Sequence, residues 1–126
     1  MFATISANAG HKFVDRGDLI AYDFTLTDFE FDTTWNVLDL SAKIPKGAVL
    51  ALITITETCA QAYPFMFRTK GYTHGTGTSI FTAAGGSMNT GHTVLVVPDK
   101  DALIEYLGYA AAGCEAFDFT VGRYFI

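Results

Sequence analysis

The sequence predicts an all-β protein: an antiparallel β-sandwich, with a jelly roll as one topology that fits, carrying an N-terminal arm. Three observations predict it. Apolar and polar residues alternate with a period of two over about seven to nine short segments. Turn-forming Gly, Pro, Asn and Asp recur between those segments, and no confident helical spacing appears.

Residues 1–18 hold Phe2, Ile5, Phe13 and Val14 without sustained alternation, interrupted by Asn8, Gly10 and Gly17. They are assigned as an arm, and residues 19–126 as the sandwich domain. A sparse arm with a few large apolar side chains either folds back on its own sheet or reaches a neighbour, so Phe2, Ile5 and Phe13 are candidate partner-binding residues. From Leu19 the pattern sharpens into a predicted strand, with Ile20, Tyr22, Phe24 and Leu26 alternating with Ala21, Asp23 and Thr25. The phase then slips: Phe29 and Phe31 become the apolar positions and Asp28, Glu30 and Asp32 face away, which requires a bulge or turn near Thr27 and Asp28.

The centre of the chain is Trp35 to Glu57, two apolar runs joined by Ile44-Pro45-Lys46-Gly47. The proline cannot donate a ladder hydrogen bond and the glycine is free to take positive φ, so the joint is a turn. In the second run Val49, Ala51, Ile53 and Ile55 share one face. Leu50 and Leu52 share the other and give way to Thr54 and Thr56, so this strand starts buried on both sides and emerges to solvent on one.

Thr58 to Pro64 reads as a loop. Phe65 to Lys70 reads as a strand with Phe65 and Phe67 inward and Arg68 and Lys70 outward. The stretch from Gly71 to Gly91 is rich in Gly, Thr and Ser, with a short strand only at Ile80 and Phe81. A stretch that long with little structure of its own is usually functional or an interface, and Tyr72 and His74 are its candidate partner-binding residues. Thr93 to Val97 is a short apolar strand. Residues 99–112 fit a helix capped by Asp99 and stopped by Gly113, and also fit a strand; the β-branched and aromatic content of Ile104 to Tyr106 tips the choice to strand. Phe117, Phe119 and Val121 make the last strand, running into an apolar terminus.

A chain of 126 residues is one domain with a full core. Charged residues make up 17% of it, below the roughly 25% of an average soluble domain, while half the chain is apolar. A tight, charge-poor core explains part of that excess; an oligomer or docking on a larger assembly explains the rest. Net charge is −5 and the eight Lys and Arg residues form no stripe, so nucleic acid is not an expected partner. No stretch approaches the ~20 apolar residues of a membrane span, and the opening MFATISANAG lacks the basic-then-apolar order of an export signal. The expectation is a cytoplasmic protein, without a membrane partner, in which Cys59 and Cys114 stay reduced.

Candidate chemistry is sparse. Asp28, Glu30 and Asp32 on one face of an extended segment could share a calcium ion, yet such charges normally protect a strand edge. His11, His74 and His92 have no ligand spacing. Ser87 lacks the second glycine of a nucleophile elbow, and the Gly75 to Ser79 run lacks the lysine of a phosphate loop. Tyr63, Tyr72, Tyr106, Tyr109 and Tyr124 with Trp35 could supply a sugar-stacking platform, although most aromatics of a small sandwich are core. No catalytic residue, metal or cofactor is expected.

Trp35, Leu38-Asp39-Leu40-Ser41, Ile44-Pro45, Gly47-Ala48, Phe65, Phe67-Arg68, Gly71-Tyr72, Val97-Pro98-Asp99, Ile104-Glu105-Tyr106 and the final strand together resemble small β-sandwich modules of tailed-phage virions, such as head fibres, capsid decoration proteins and tail-fibre domains. The likeness spans residues 35–125, and most of its positions determine fold. It implies a non-enzymatic virion structural protein, a capsid decoration (cement) or head-fibre component. Such a protein is made in the host cytoplasm, self-associates, and docks on a major capsid or tail protein. The alternative is a receptor-binding or carbohydrate-binding module with a glycan partner; a small hydrolase is the third reading.

Overall fold

Among the described residues eight strands form: β1 (Phe13–Asp15), β2 (Asn36–Asp39), β3 (Leu50–Cys59), β4 (Pro64–Thr69), β5 (Ser79–Thr82), β6 (Met88–Val96), β7 (Leu103–Gly108) and β8 (Cys114–Phe125). They come from a computed structural model, which describes residues 10–109 and 113–126. Phe2 and Ile5 lie outside the described residues. Two four-stranded antiparallel sheets pack face to face, one ordered β1-β8-β3-β6 and the other β2-β7-β4-β5. The pairings β1–β8, β2–β7, β3–β6 and β4–β5 are those of one long hairpin rolled into two layers. That is the jelly-roll arrangement.

The predicted central strand is β3, bonded to β6 on one side and β8 on the other. Its inward residues Ala51, Ile53 and Ile55 are fully buried, Leu50 and Leu52 are half-buried on the outer face, and Thr54 is exposed. Opposite them β4 contributes Phe65 and Phe67, and beside them in the same sheet β8 contributes Phe117 and Phe119, all fully buried. Burying each such ring stabilises the fold by about 1.5–3 kcal/mol. Phe29 and Phe31 stack on each other and meet Phe117 edge-on, joining the layers at ring separations of 5.2, 5.0 and 4.9 Å. Gly108 is glycine for a packing reason: a Cβ there would strike the rings of Phe31 and Phe65.

The strand predicted from Leu19 to Leu26 does not form. β1 and the single residue Phe24 both pair with β8, at Phe125–Arg123 and Phe119 respectively, and the chain between them leaves the sheet. Two side chains explain the gap. Arg16 donates to the Val121 carbonyl at 2.8 Å, and the Asp23 carboxylate accepts the Val121 N–H at 2.8 Å, so the backbone groups a continuous strand would need are taken. Arg16 and Asp23 also pair with each other at 2.6 Å, closing the neck of a loop over residues 17–22. The predicted phase slip near Asp28 becomes a 3-10 turn, Leu26–Asp28, with the Thr25 N–H donating to the Asp28 carboxylate at 2.8 Å. Phe29 and Phe31 still point inward, but from unpaired backbone.

Three further differences follow from pairing between distant segments. Residues 13–15 of the predicted arm fold back on their own sheet as β1. The Gly/Thr-rich stretch ends earlier than expected, because β6 starts at Met88 and pairs with β3 over nine positions. The cysteines are not reduced: Cys59 and Cys114 face each other across β3 and β8 and form a disulfide. Residues 103–108 are a strand, as the Ile104–Tyr106 composition favours.

Candidate functional site

Arg68 organises the surface that carries Tyr72 and His74. Alternation along β4 turns Phe65, Phe67 and Thr69 into the core and leaves Met66 and Arg68 on the outer face of the β2-β7-β4-β5 sheet. Across the ladder Arg68 stands opposite Glu105 of β7, and its Nε donates to the Glu105 carboxylate at 2.6 Å. The side chains of the two are only 12% and 15% exposed, so the pair is shielded and its hydrogen bond charge-assisted. The guanidinium carbon lies 3.9 Å from the centre of the Trp35 ring, a contact of about 1–2 kcal/mol when partly desolvated.

Arg68 Nη1 donates to the His74 carbonyl at 2.9 Å, pinning the loop that follows β4. The same loop is held by Tyr72 N–H to the Thr69 carbonyl at 3.1 Å and Thr78 N–H to the Phe67 carbonyl at 2.9 Å. Gly77 makes the close approach possible. Its φ is +74°, and a Cβ would sit 2.6 Å from the Phe67 carbonyl oxygen and 3.0 Å from the Trp35 ring. The result is a fixed platform on which Tyr72 is 51% exposed and His74 is exposed, with the exposed Ile80 of β5 on the same sheet face. His74 Nδ1 is 3.1 Å from the Thr76 hydroxyl. Arg68, Glu105 and His74 are thus engaged within the protein, and the surface offers shape and aromatic area for contact.

A second polar group lies inside the sandwich. Glu57 follows Ile53 and Ile55 on the inward face of β3 and is fully buried; its Oε2 is 2.8 Å from His92 Nε2 of β6, and its Oε1 has no hydrogen-bond partner. The His92 ring stacks on Phe81, centroids 4.0 Å apart. His92 is a strand residue turned toward the core. The pair couples an imidazole to a carboxylate, with Nε2 committed to Glu57 and the carboxylate sealed from solvent.

The other predicted positions disperse. Phe13 sits on β1 at the edge of the opposite sheet from Tyr72 and His74. Asp28 caps the 3-10 turn, while Asp32 accepts the Thr34 hydroxyl at 2.7 Å and the Asn36 amide at 2.9 Å. Those hydrogen bonds, Thr34 first, hold the Asp32 carboxyl below its ordinary range. Among the described residues no cluster of three His, Cys, Asp or Glu could hold a metal ion, and no helix is long and apolar enough to cross a membrane. Of the aromatic set, Tyr106 is buried, Tyr63 and Tyr124 pack on the core, and Tyr72 and Tyr109 are exposed. The sequence reading missed the Glu57–His92 pair. The signal existed, since strict alternation from Ile53 and Ile55 turns Glu57 inward.

No protein-family model, curated protein or solved structure matches the chain.

Proposed function

We propose that the protein is a non-enzymatic virion structural component, a capsid decoration (cement) or head-fibre protein that docks on an assembled shell and stabilises it. The observation that carries the reading is the Arg68-clamped platform: a pre-ordered loop displaying Tyr72 beside exposed apolar area, with its charged side chains already paired inside the molecule. Loop ordering is an entropy loss that a docking surface otherwise meets on binding, and here folding has met it already. The charge-poor composition and the resemblance of residues 35–125 to phage sandwich modules support the same reading.

The mechanism needs no bond chemistry. A ligand that binds only the assembled shell shifts the assembly equilibrium toward it by mass action, and several linked copies add avidity without new contacts. The partners are further copies of the chain and a major capsid or tail protein. The setting is a virion assembled in the host cytoplasm, and the disulfide suits a particle that is later released to an oxidising exterior.

Co-sedimentation with shells assembled from the cognate major capsid protein tests the proposal. Saturable binding to shells, absence of binding to unassembled subunits, and loss on Tyr72→Ala with an unchanged melting curve are expected. A folded protein that ignores shells refutes it. Saturable binding to a glycan array, lost on Tyr72→Ala, would replace it with the receptor-binding reading.

A further inference from the structure

We propose that the outer face of the β1-β8-β3-β6 sheet is a two-fold self-association surface whose occupant is a second copy of this chain. The inference deepens the oligomer half of the docking proposal and rests on it there alone, since it concerns the sheet opposite the Tyr72 platform.

Strand register puts the outward residues of this sheet into rows. Phe13, Phe125 and Leu50 form one row, and Asp15, Arg123, Leu52 and Leu95 the next. Beyond them the row of Thr120, Thr54 and Thr93 is polar. The apolar side chains therefore collect at one end of the face, where Phe13 is 51%, Leu95 50% and Val97 45% exposed. Monomers seldom leave such a band in water across a whole sheet.

Next to the band rises the loop closed by Arg16 and Asp23. Its Ile20 is fully exposed and Tyr22 largely so. Leu19 to Tyr22 wall a hollow of about 260 Å³ over Thr120 of β8. The apolar knob Ile20 and a hollow of mixed polar and apolar lining, of which Ile20 forms one wall, therefore lie together on one face. A two-fold axis requires this relation, because each copy must offer both halves of the contact.

Charge points to the same occupant. Asp15 and Arg123 lie 3.4 Å apart on the band's own rows, and their side chains are 51% and 58% exposed. A copy turned through 180° brings its Arg123 to Asp15 and its Asp15 to Arg123, so one face satisfies itself. With about half of each apolar side chain still open, two copies cover on the order of 1,000 Å², the size of a weak, reversible interface.

Light scattering and sedimentation equilibrium on the full chain decide the matter. A dimer is expected at about 100 µM, with Leu95→Asp raising the dissociation constant at least about tenfold. Leu95 is half exposed, so the variant's melting curve verifies its fold. Arg123→Glu and Asp15→Arg should each weaken self-association alone, and an equimolar mixture of the two should restore it by forming heterodimers, which pairing within one copy cannot produce. A monomer at that concentration, a trimer, or an Arg123→Glu plus Asp15→Arg mixture without recovery overturns the proposal. Failure of shell binding with the dimer intact leaves this inference standing and removes only the docking proposal. Tyr72→Ala should impair shell binding without changing mass.

Discussion

Reducing the Cys59–Cys114 disulfide should destabilise the protein chiefly through its unfolded chain. The cysteines are 55 residues apart, and a cross-link closing a loop of that length removes about 14 cal/mol/K of chain entropy, or about 4 kcal/mol at 25 °C. The native state should change little. Cys59 and Cys114 are register neighbours whether bonded or not, and just beyond them Ala60 N–H donates to the Gly113 carbonyl at 2.7 Å, so the β3–β8 ladder holds the sulfurs together. For a domain of this size 4 kcal/mol lowers the melting temperature by roughly 12–20 °C. The assay is thermal and urea unfolding of one preparation with and without a phosphine reductant, followed by circular dichroism, with thiols counted after denaturation. Reduced protein should keep its β spectrum at 25 °C, melt lower, and show a steeper urea dependence because its unfolded chain exposes more surface. Melting temperatures within about 2 °C of each other in the two states would refute the entropy account. Two free thiols in untreated protein would refute the cross-link itself.

His92→Ala should cost about 3–5 kcal/mol, because it strips the last partner from a fully buried carboxylate; the double change Glu57→Met, His92→Leu should be neutral or stabilising by about 1–4 kcal/mol, both read from urea denaturation. Tyr106 has its phenol pushed up by burial, against the hydrogen bond its oxygen accepts from the Glu30 N–H at 2.8 Å. A raised value in the folded state means that the neutral ring's contribution is complete below the unfolded pKa of about 10 and is lost as pH rises through the folded one. Tyr106→Phe should lower stability at neutral pH by about 1 kcal/mol and flatten the alkaline fall. Gly77→Ala should cost about 1–3 kcal/mol from strain at positive φ and collision with Phe67, and should weaken shell binding by freeing the loop under Tyr72; melting and co-sedimentation together check it.

What could be read along the chain was whatever depends on near neighbours. The in-out period of β3, the Pro45-Lys46-Gly47 turn, the Phe65–Thr69 strand and the Phe117–Val121 strand all show in their own residues. The failures share one cause, which is contact between segments far apart in sequence. Ile20, Tyr22 and Phe24 alternate as a strand should, yet Arg16 and Asp23 take the Val121 backbone groups and the strand is lost. Nothing near Cys59 announces Cys114, because the disulfide is a matter of register. β6 begins in residues as polar as Asn89 and Thr90: Asn89 lies on the outward face, which needs no apolar period, and Thr90 stands opposite Glu57 at the polar end of the inward face. For the site, Gly71 to Gly91 was legible as a segment worth watching, and Tyr72 and His74 as its side chains. The clamp beneath them was not, for it joins Arg68 to a carboxylate 37 positions away.

How the four sheet edges are finished decides how this fold can associate. Three edge strands are short: β1 has three residues, and β2 and β5 have four each. Short edges offer few unpaired backbone groups to another chain. β6 is the exception at nine residues, and it is bonded to the other layer. Ser79 Oγ of β5 donates to the Leu95 carbonyl, and Thr69 Oγ1 of β4 donates to the Val97 carbonyl at 2.6 Å just past the strand's end. Those hydroxyls take the acceptors at one end of β6, so a strand adding there loses part of its ladder. With three edges short and the fourth stitched at one end, face-to-face contact is the favoured route to assembly. On one face Phe13, Leu95 and Ile20 stand open; on the other, Tyr72 and Ile80. If a chain finished in this way docks as proposed, it does so through side chains, and its contacts should therefore yield to single substitutions on a face while the sheets themselves stay folded.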